Sequence, residues 1–162
     1  MNKELKKEIK KFADPVRSSA HKFGIVIGII IVIAILGLYF LSRAFFVSIA
    51  NWVELVQAIL VCSTALVGLS GLMILEARKI DAGGLLSQDG LERIQAVNAV
   101  SSLAKAEVFL QWSVFFSIIS IIASSLCIMT ANVLLLIVSL VTFGGQLYFF
   151  MFGLIFSDFV PS

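Results

Sequence analysis

A chain of 162 residues that is 60% hydrophobic and 14% charged, with a mean hydropathy of +1.07, carries more apolar surface than a water-soluble core of that length can hide. The formal net charge of +2 gives no electrostatic case for a nucleic-acid partner. One histidine, His21, and two separated cysteines, Cys62 and Cys127, make no recognisable ligand set for zinc, copper or haem, and no cofactor is expected.

In chain order, residues 1–22 come first. Lys3, Lys6, Lys7, Lys10 and Lys11 share this segment with Glu4 and Glu8, while Leu5, Ile9, Phe12 and Val16 recur at intervals of four, three and four. That spacing predicts a basic amphipathic helix. Its lysines favour a place on the inner leaflet near anionic lipid; packing of the stripe on copies of itself or on the inner loop is the alternative. Asp14-Pro15 is expected to break or kink the helix before the membrane begins.

The first apolar run, 23–41, has no charge between Lys22 and Arg43. It is too long for a signal-peptide core and lacks a small-residue cleavage pattern after it. It is almost pure Ile, Val and Leu, with Gly24 and Gly28 in small-xxx-small spacing. The second run, 53–75, places Gln57, Thr64, Gly68 and Gly71 on one face. The loop 76–107 opens with a turn at Asp81-Ala82-Gly83-Gly84, and Ser87 or Asp89 can cap a helix from near Gly90. Leu91, Ile94, Val97 or Asn98, and Ser101 then follow at helical spacing, and this helix is expected to run through Lys105 and Glu107 into the third span. Its weakly apolar face needs a partner, the N-terminal helix or a neighbouring subunit.

The third run, 108–130, holds Ser113, Ser117, Ser120 and Ser124 at intervals of four, three and four, with Cys127 three further on. The link through Asn132 is short enough to force a tight antiparallel hairpin. The fourth run, 133–156, aligns Ser139, Thr142, Gln146 and Gly153 on one face and carries Phe149, Phe150, Phe152 and Phe156, expected to pack on a partner or on lipid. A short tail, 157–162, follows.

Each run has the ~20 residues a helix needs to cross the hydrocarbon. A helix satisfies every backbone group within one such segment, and the runs lack the alternation of a membrane β-strand. The fold class is therefore all-α: an integral membrane protein of four transmembrane helices with cytoplasmic helical extensions. Eleven of the twelve Lys and Arg residues fall before the first span or between the second and third. That asymmetry puts both termini in the cytoplasm. Trp52 and Trp112 are expected at the membrane interfaces, and both cysteines as buried free thiols. Only short loops remain for the outer side.

No span has a charge near its middle, which disfavours proton relays and voltage sensing. Glu54, Glu76, Glu107 and Asp158 read as solvated boundary charges. The neutral polar stripes allow two functions. In the first, copies of the chain form a homo-oligomeric channel or pore. Its path would be lined by Gln57, Thr64, Ser113, Ser117, Ser120, Ser124, Thr142 and above all Gln146. Arg43 and Glu54 would stand at its outer mouth, Lys105 and Glu107 at its inner one. In the second, the stripes only pack helices, and the chain is a non-catalytic structural or accessory subunit of a larger membrane complex. Partners are then the bilayer and copies of the chain or other membrane subunits. An enzyme is not expected, since no nucleophile–base or acid–base pair is visible. Glu92-Arg93 followed by Asn98 resembles the Arg- and Asn-bearing loop of the MAPEG glutathione- and eicosanoid-metabolising family, which also has four spans. There the loop follows the first span and here the second, so no site residue carries over. No internal repeat aligns.

Overall fold

The structure, a computed structural model, describes residues 3–45, 52–79 and 91–157, with side chains for 10–41, 52–76 and 97–157. The described residues form four helices: α1 (Lys3–Phe45), α2 (Trp52–Lys79), α3 (Leu91–Thr130) and α4 (Val133–Ser157). All four are long and apolar enough to cross a membrane, and the chain is an all-α, four-span membrane protein. Each span exposes large apolar side chains, as at Ile29 and Ile33 on α1, Leu72 on α2, Ile122 on α3 and Met151 on α4. Lipid is the solvent that such a surface requires.

The α3/α4 hairpin is the centre of the fold. It is flanked on one side by α1 and on the other by α2, which do not touch each other among the described residues. Its link is two residues long. Ala131 takes the left-handed conformation (φ 51°) that ends α3, its N–H donating to the Cys127 carbonyl at 2.8 Å. Asn132 then caps α4: its Oδ1 accepts from the Leu134 N–H at 2.9 Å. An alanine at this backbone position is strained by about 1–2 kcal/mol. Ala131→Gly is therefore expected to stabilise the protein by about 1 kcal/mol in a thermal or urea melt. No change would mean that the turn does not govern hairpin stability.

The expected break at Asp14-Pro15 does not occur: α1 runs unbroken through Pro15 for 43 residues, ~65 Å. Proline forfeits one backbone bond, but the helix is held on both sides of it by packing. Ala13 and Ala20 are buried, and the Arg17 guanidinium donates to Glu107 on α3 at 2.7 Å. Residues 3–22 thus continue the first span instead of forming a separate helix. α3 likewise runs without interruption from Leu91 to Thr130, ~60 Å, so residues 91–107 and the third span share one rod. α1 packs on the start of the third span, where Ala20 clusters with Val108 and Phe109; of the apolar face expected over 91–101, the side chains of Leu91 and Ile94 lie outside the described residues.

Contacts between the starts of α1 and α3 and the end of α4 place them at one end of the molecule. Arg17 meets Glu107, and Lys105 Nζ lies 5.2 Å from the centroid of the Phe156 ring. α2 runs antiparallel to α3, so its own C-terminus points to this same, basic end.

Candidate functional site

The two sides of the central hairpin differ in chemistry. Toward α1 it is aromatic. Phe149 is fully buried and stacks on Phe116 (5.5 Å, 7°), Trp112 (6.0 Å, 24°) and Phe109 (6.1 Å, 28°). Phe109 also meets Phe156 and Phe152. Phe149, Phe152 and Phe156 of α4 therefore pack on α3 of their own chain. The Trp112 indole lies against the bare backbone of Gly24, where a Cβ would collide with the ring. Trp52 is half-buried against Val56, Cys127 and Leu136. The helices also close up at Gly145, where a Cβ would stand 2.7 Å from Ile31 Cδ1, and at Gly153, where it would stand 2.7 Å from Leu110 Cδ2.

Toward α2 the hairpin is polar. Ser113, Ser117, Ser120, Ser124, Ser139 and Gln146 are all completely buried, and Thr142 is 2% exposed. Two hydrogen-bonded triads cross the three helices. In one, Ser63 Oγ donates to Ser120 Oγ (3.2 Å), which donates to the Ser139 carbonyl (3.3 Å). In the other, Ser70 Oγ donates to Ser113 Oγ (3.4 Å), which donates to the Gln146 carbonyl (3.2 Å). The corresponding positions are seven residues apart on every helix, so the same motif repeats after ~10.5 Å. A seven-residue repeat keeps one seam facing its neighbours, as in a coiled coil. Between the triads, Ser117 and Thr142 turn back on their own helices, to the Ser113 and Val138 carbonyls. Beyond them Ser124 and Ser139 pair at 2.6 Å.

The triads carry a prediction. Ser113→Ala or Ser120→Ala removes two interhelical bonds at about 0.6 kcal/mol each and is expected to cost about 1–2 kcal/mol. Ser117→Ala removes only a bond within its own helix and should cost a few tenths at most. Equal losses at all three serines in detergent melts would contradict the triad assignment.

The structure brings Ser113, Ser117, Ser120, Ser124, Thr142 and Gln146 together, as their spacing implies, but not Gln57 or Thr64. Both of those are exposed on the opposite face of α2, with Thr64 bonded to its own Leu60 carbonyl. The inward face of α2 carries Ser63 and Ser70 instead. The signal for them lies in the common interval: 63 and 70, 113 and 120, 139 and 146.

Among the charges, Glu107 is buried and paired with Arg17, not solvated, because the α1 extension covers it. Glu54 is exposed and Lys105 half-buried. The side chains of Arg43, Lys3, Lys6 and Lys7 lie outside the described residues, as does Asp158; Lys10 and Lys11 are exposed. Asn98 is exposed on α3, five residues from Arg93, whose side chain is not described. Cys127 is buried, its Sγ 3.6 Å from the Asn132 carbonyl. Cys62 faces out of the bundle, contrary to expectation, because it lies off the inward arc of Val56, Ile59, Ser63 and Ser70.

One group stands apart. The Gln146 side chain is fully buried, yet neither its Nε2 nor its Oε1 has a hydrogen-bond partner among the described residues; the same holds for Trp112 Nε1. Comparison with protein-family models, curated proteins and solved structures finds no match.

Proposed function

We propose that the chain is a non-catalytic structural or accessory subunit of a membrane assembly, acting through contacts between chains and not through a path inside its own bundle. The observation that carries this is the direction of the serine triads. A hydrated path needs polar groups joined along the membrane normal. These triads run across it, and each ends on a backbone carbonyl of α4. Hydroxyls engaged in this way close three helices against one another. On the positive-inside rule the basic end, with both termini, lies in the cytoplasm.

A second reading is favoured by one specific feature. Glu54, Gln57, Thr64 and Gly68 are exposed along the outer face of α2. A ring of copies with α2 turned to its axis would line a path with Gln57 and Thr64 and place Glu54 at the mouth.

Single cysteines at Ser117 and Thr64, in a Cys62→Ala, Cys127→Ala background, separate the two when treated in native membranes with a membrane-impermeant thiosulfonate. The subunit reading expects neither position to be modified. Modification at Ser117 would overturn the closed bundle. Modification at Thr64 alone would transfer the proposal to the ring channel.

A further inference from the structure

The outer face of α1 changes character at Lys22. Lys11, Pro15, Ser18, Lys22, Val26, Ile29 and Ile33 follow one another at intervals of three or four, and all are exposed. Ala13, Ala20, Gly24 and Ile31 form the opposite, buried face against the hairpin. One continuous surface thus runs from cationic and hydroxylic to purely aliphatic, and the change falls at a definite depth. The neighbouring Phe23 ring meets Phe109 edge-on at 6.0 Å, and Phe109 stacks on Phe156 in the last turns of α4. Lys22 is therefore level with the end of α4, at the edge of the hydrocarbon.

Of three described cations at this level, Arg17, Lys22 and Lys105, two are engaged within the protein: Arg17 with Glu107, and Lys105 over the Phe156 ring. Lys22 has no ion-pair partner among the described residues and is exposed on the lipid-facing side. The exposed acid of this stretch, Asp14, is eight residues away, ~12 Å along the axis, and has Lys10 and Lys11 within one turn.

We propose that this face of α1 holds one anionic phospholipid, its phosphate on Lys22 Nζ and the hydroxyls of Ser18 and Ser19, its acyl chains along Val26, Ile29 and Ile33. Charge complementarity selects the headgroup, and continuity with the aliphatic face selects a lipid over a free anion. A lysine this close to the bilayer surface favours an anionic over a zwitterionic headgroup by about five-fold.

Native mass spectrometry of the delipidated full chain, titrated with phosphatidylglycerol or phosphatidylcholine, tests this. The wild type and Lys22→Arg are expected to bind the first phosphatidylglycerol about five-fold more tightly than phosphatidylcholine. Lys22→Gln should bind the two alike while melting at the wild-type temperature, and the Lys10→Gln, Lys11→Gln double variant should keep most of the preference. Equal binding of both lipids by the wild type would overturn the proposal. So would a preference that survives in Lys22→Gln or is lost only in the double variant. Binding of inorganic phosphate in competition with the lipid would reassign the site to a free anion.

Discussion

Gly24→Val is expected to destabilise the protein by about 3 kcal/mol and to loosen α1 from the hairpin, whereas Gly28→Ala, one turn along the same helix, should be neutral within about 0.5 kcal/mol. The difference comes from what each glycine faces. A Cβ at position 24 would fall on the Trp112 indole, while at position 28 it would meet nothing within 4 Å. The indole cannot swing away cheaply, since it is held against both Phe116 and Phe149, at 5.9 and 6.0 Å, which themselves stack at 5.5 Å. Overpacking a rigid ring costs the upper part of the usual 1–3 kcal/mol range, and a branched side chain exceeds what a Cβ alone would do. Thermal unfolding in detergent, with Trp112 fluorescence as the local probe, reads both variants. If the two glycines respond alike, α1 is not docked through Trp112.

The second large effect has the opposite sign: Gln146→Met should stabilise the subunit by about 1–3 kcal/mol. Burying an amide without hydrogen bonds is unfavourable by several kcal/mol in an apolar medium, and neither polar atom of this one has a partner among the described residues. Methionine has nearly the same shape and nothing to desolvate. The Gln146 backbone carbonyl, which accepts from Ser113, is unaffected by the change. Urea or thermal melts compare it with Gln57→Met, at an exposed position, where a gain of that size is not expected. A loss of stability on replacing Gln146 would show that its amide is satisfied in the native membrane, by water or by another chain.

Much of the architecture is legible in one dimension because the bilayer imposes it. The four apolar runs, their order and the hairpin ending at Thr130 and resuming at Val133 all follow from hydropathy and the Asn132 cap. The serine row of α3 and the polar row of α4 were also readable, since every member falls on one arc of a helix and no competing polar arc exists there. On α2 two arcs compete. Gln57, Thr64, Gly68 and Gly71 make one, Ser63 and Ser70 the other, and helical periodicity alone cannot rank them. Close packing against α3 favours the small hydroxyls of Ser63 and Ser70 over the larger Gln57 and Thr64. Pro15 misled for a related reason. Its local preference is a boundary, but the packing of Ala13 and Ala20 and the Arg17–Glu107 pair outweigh it. The pairing of Glu107 with Arg17, 90 residues away, leaves no mark in either local sequence.

The serines of α3 recur at every helical turn, while those on the inner face of α2 recur at every second turn. The axial setting of α2 is therefore twofold degenerate. Displaced by one turn, ~5.4 Å, along the hairpin, Ser70 would come opposite Ser117 and Ser63 opposite Ser124, with serine again facing serine at both levels. What selects the observed setting is the apolar contact of Val56 with Cys127 and Leu136 at the far end of the helix. Hydroxyl pairing thus fixes which face α2 turns inward, while a small hydrophobic stop fixes how far it is inserted.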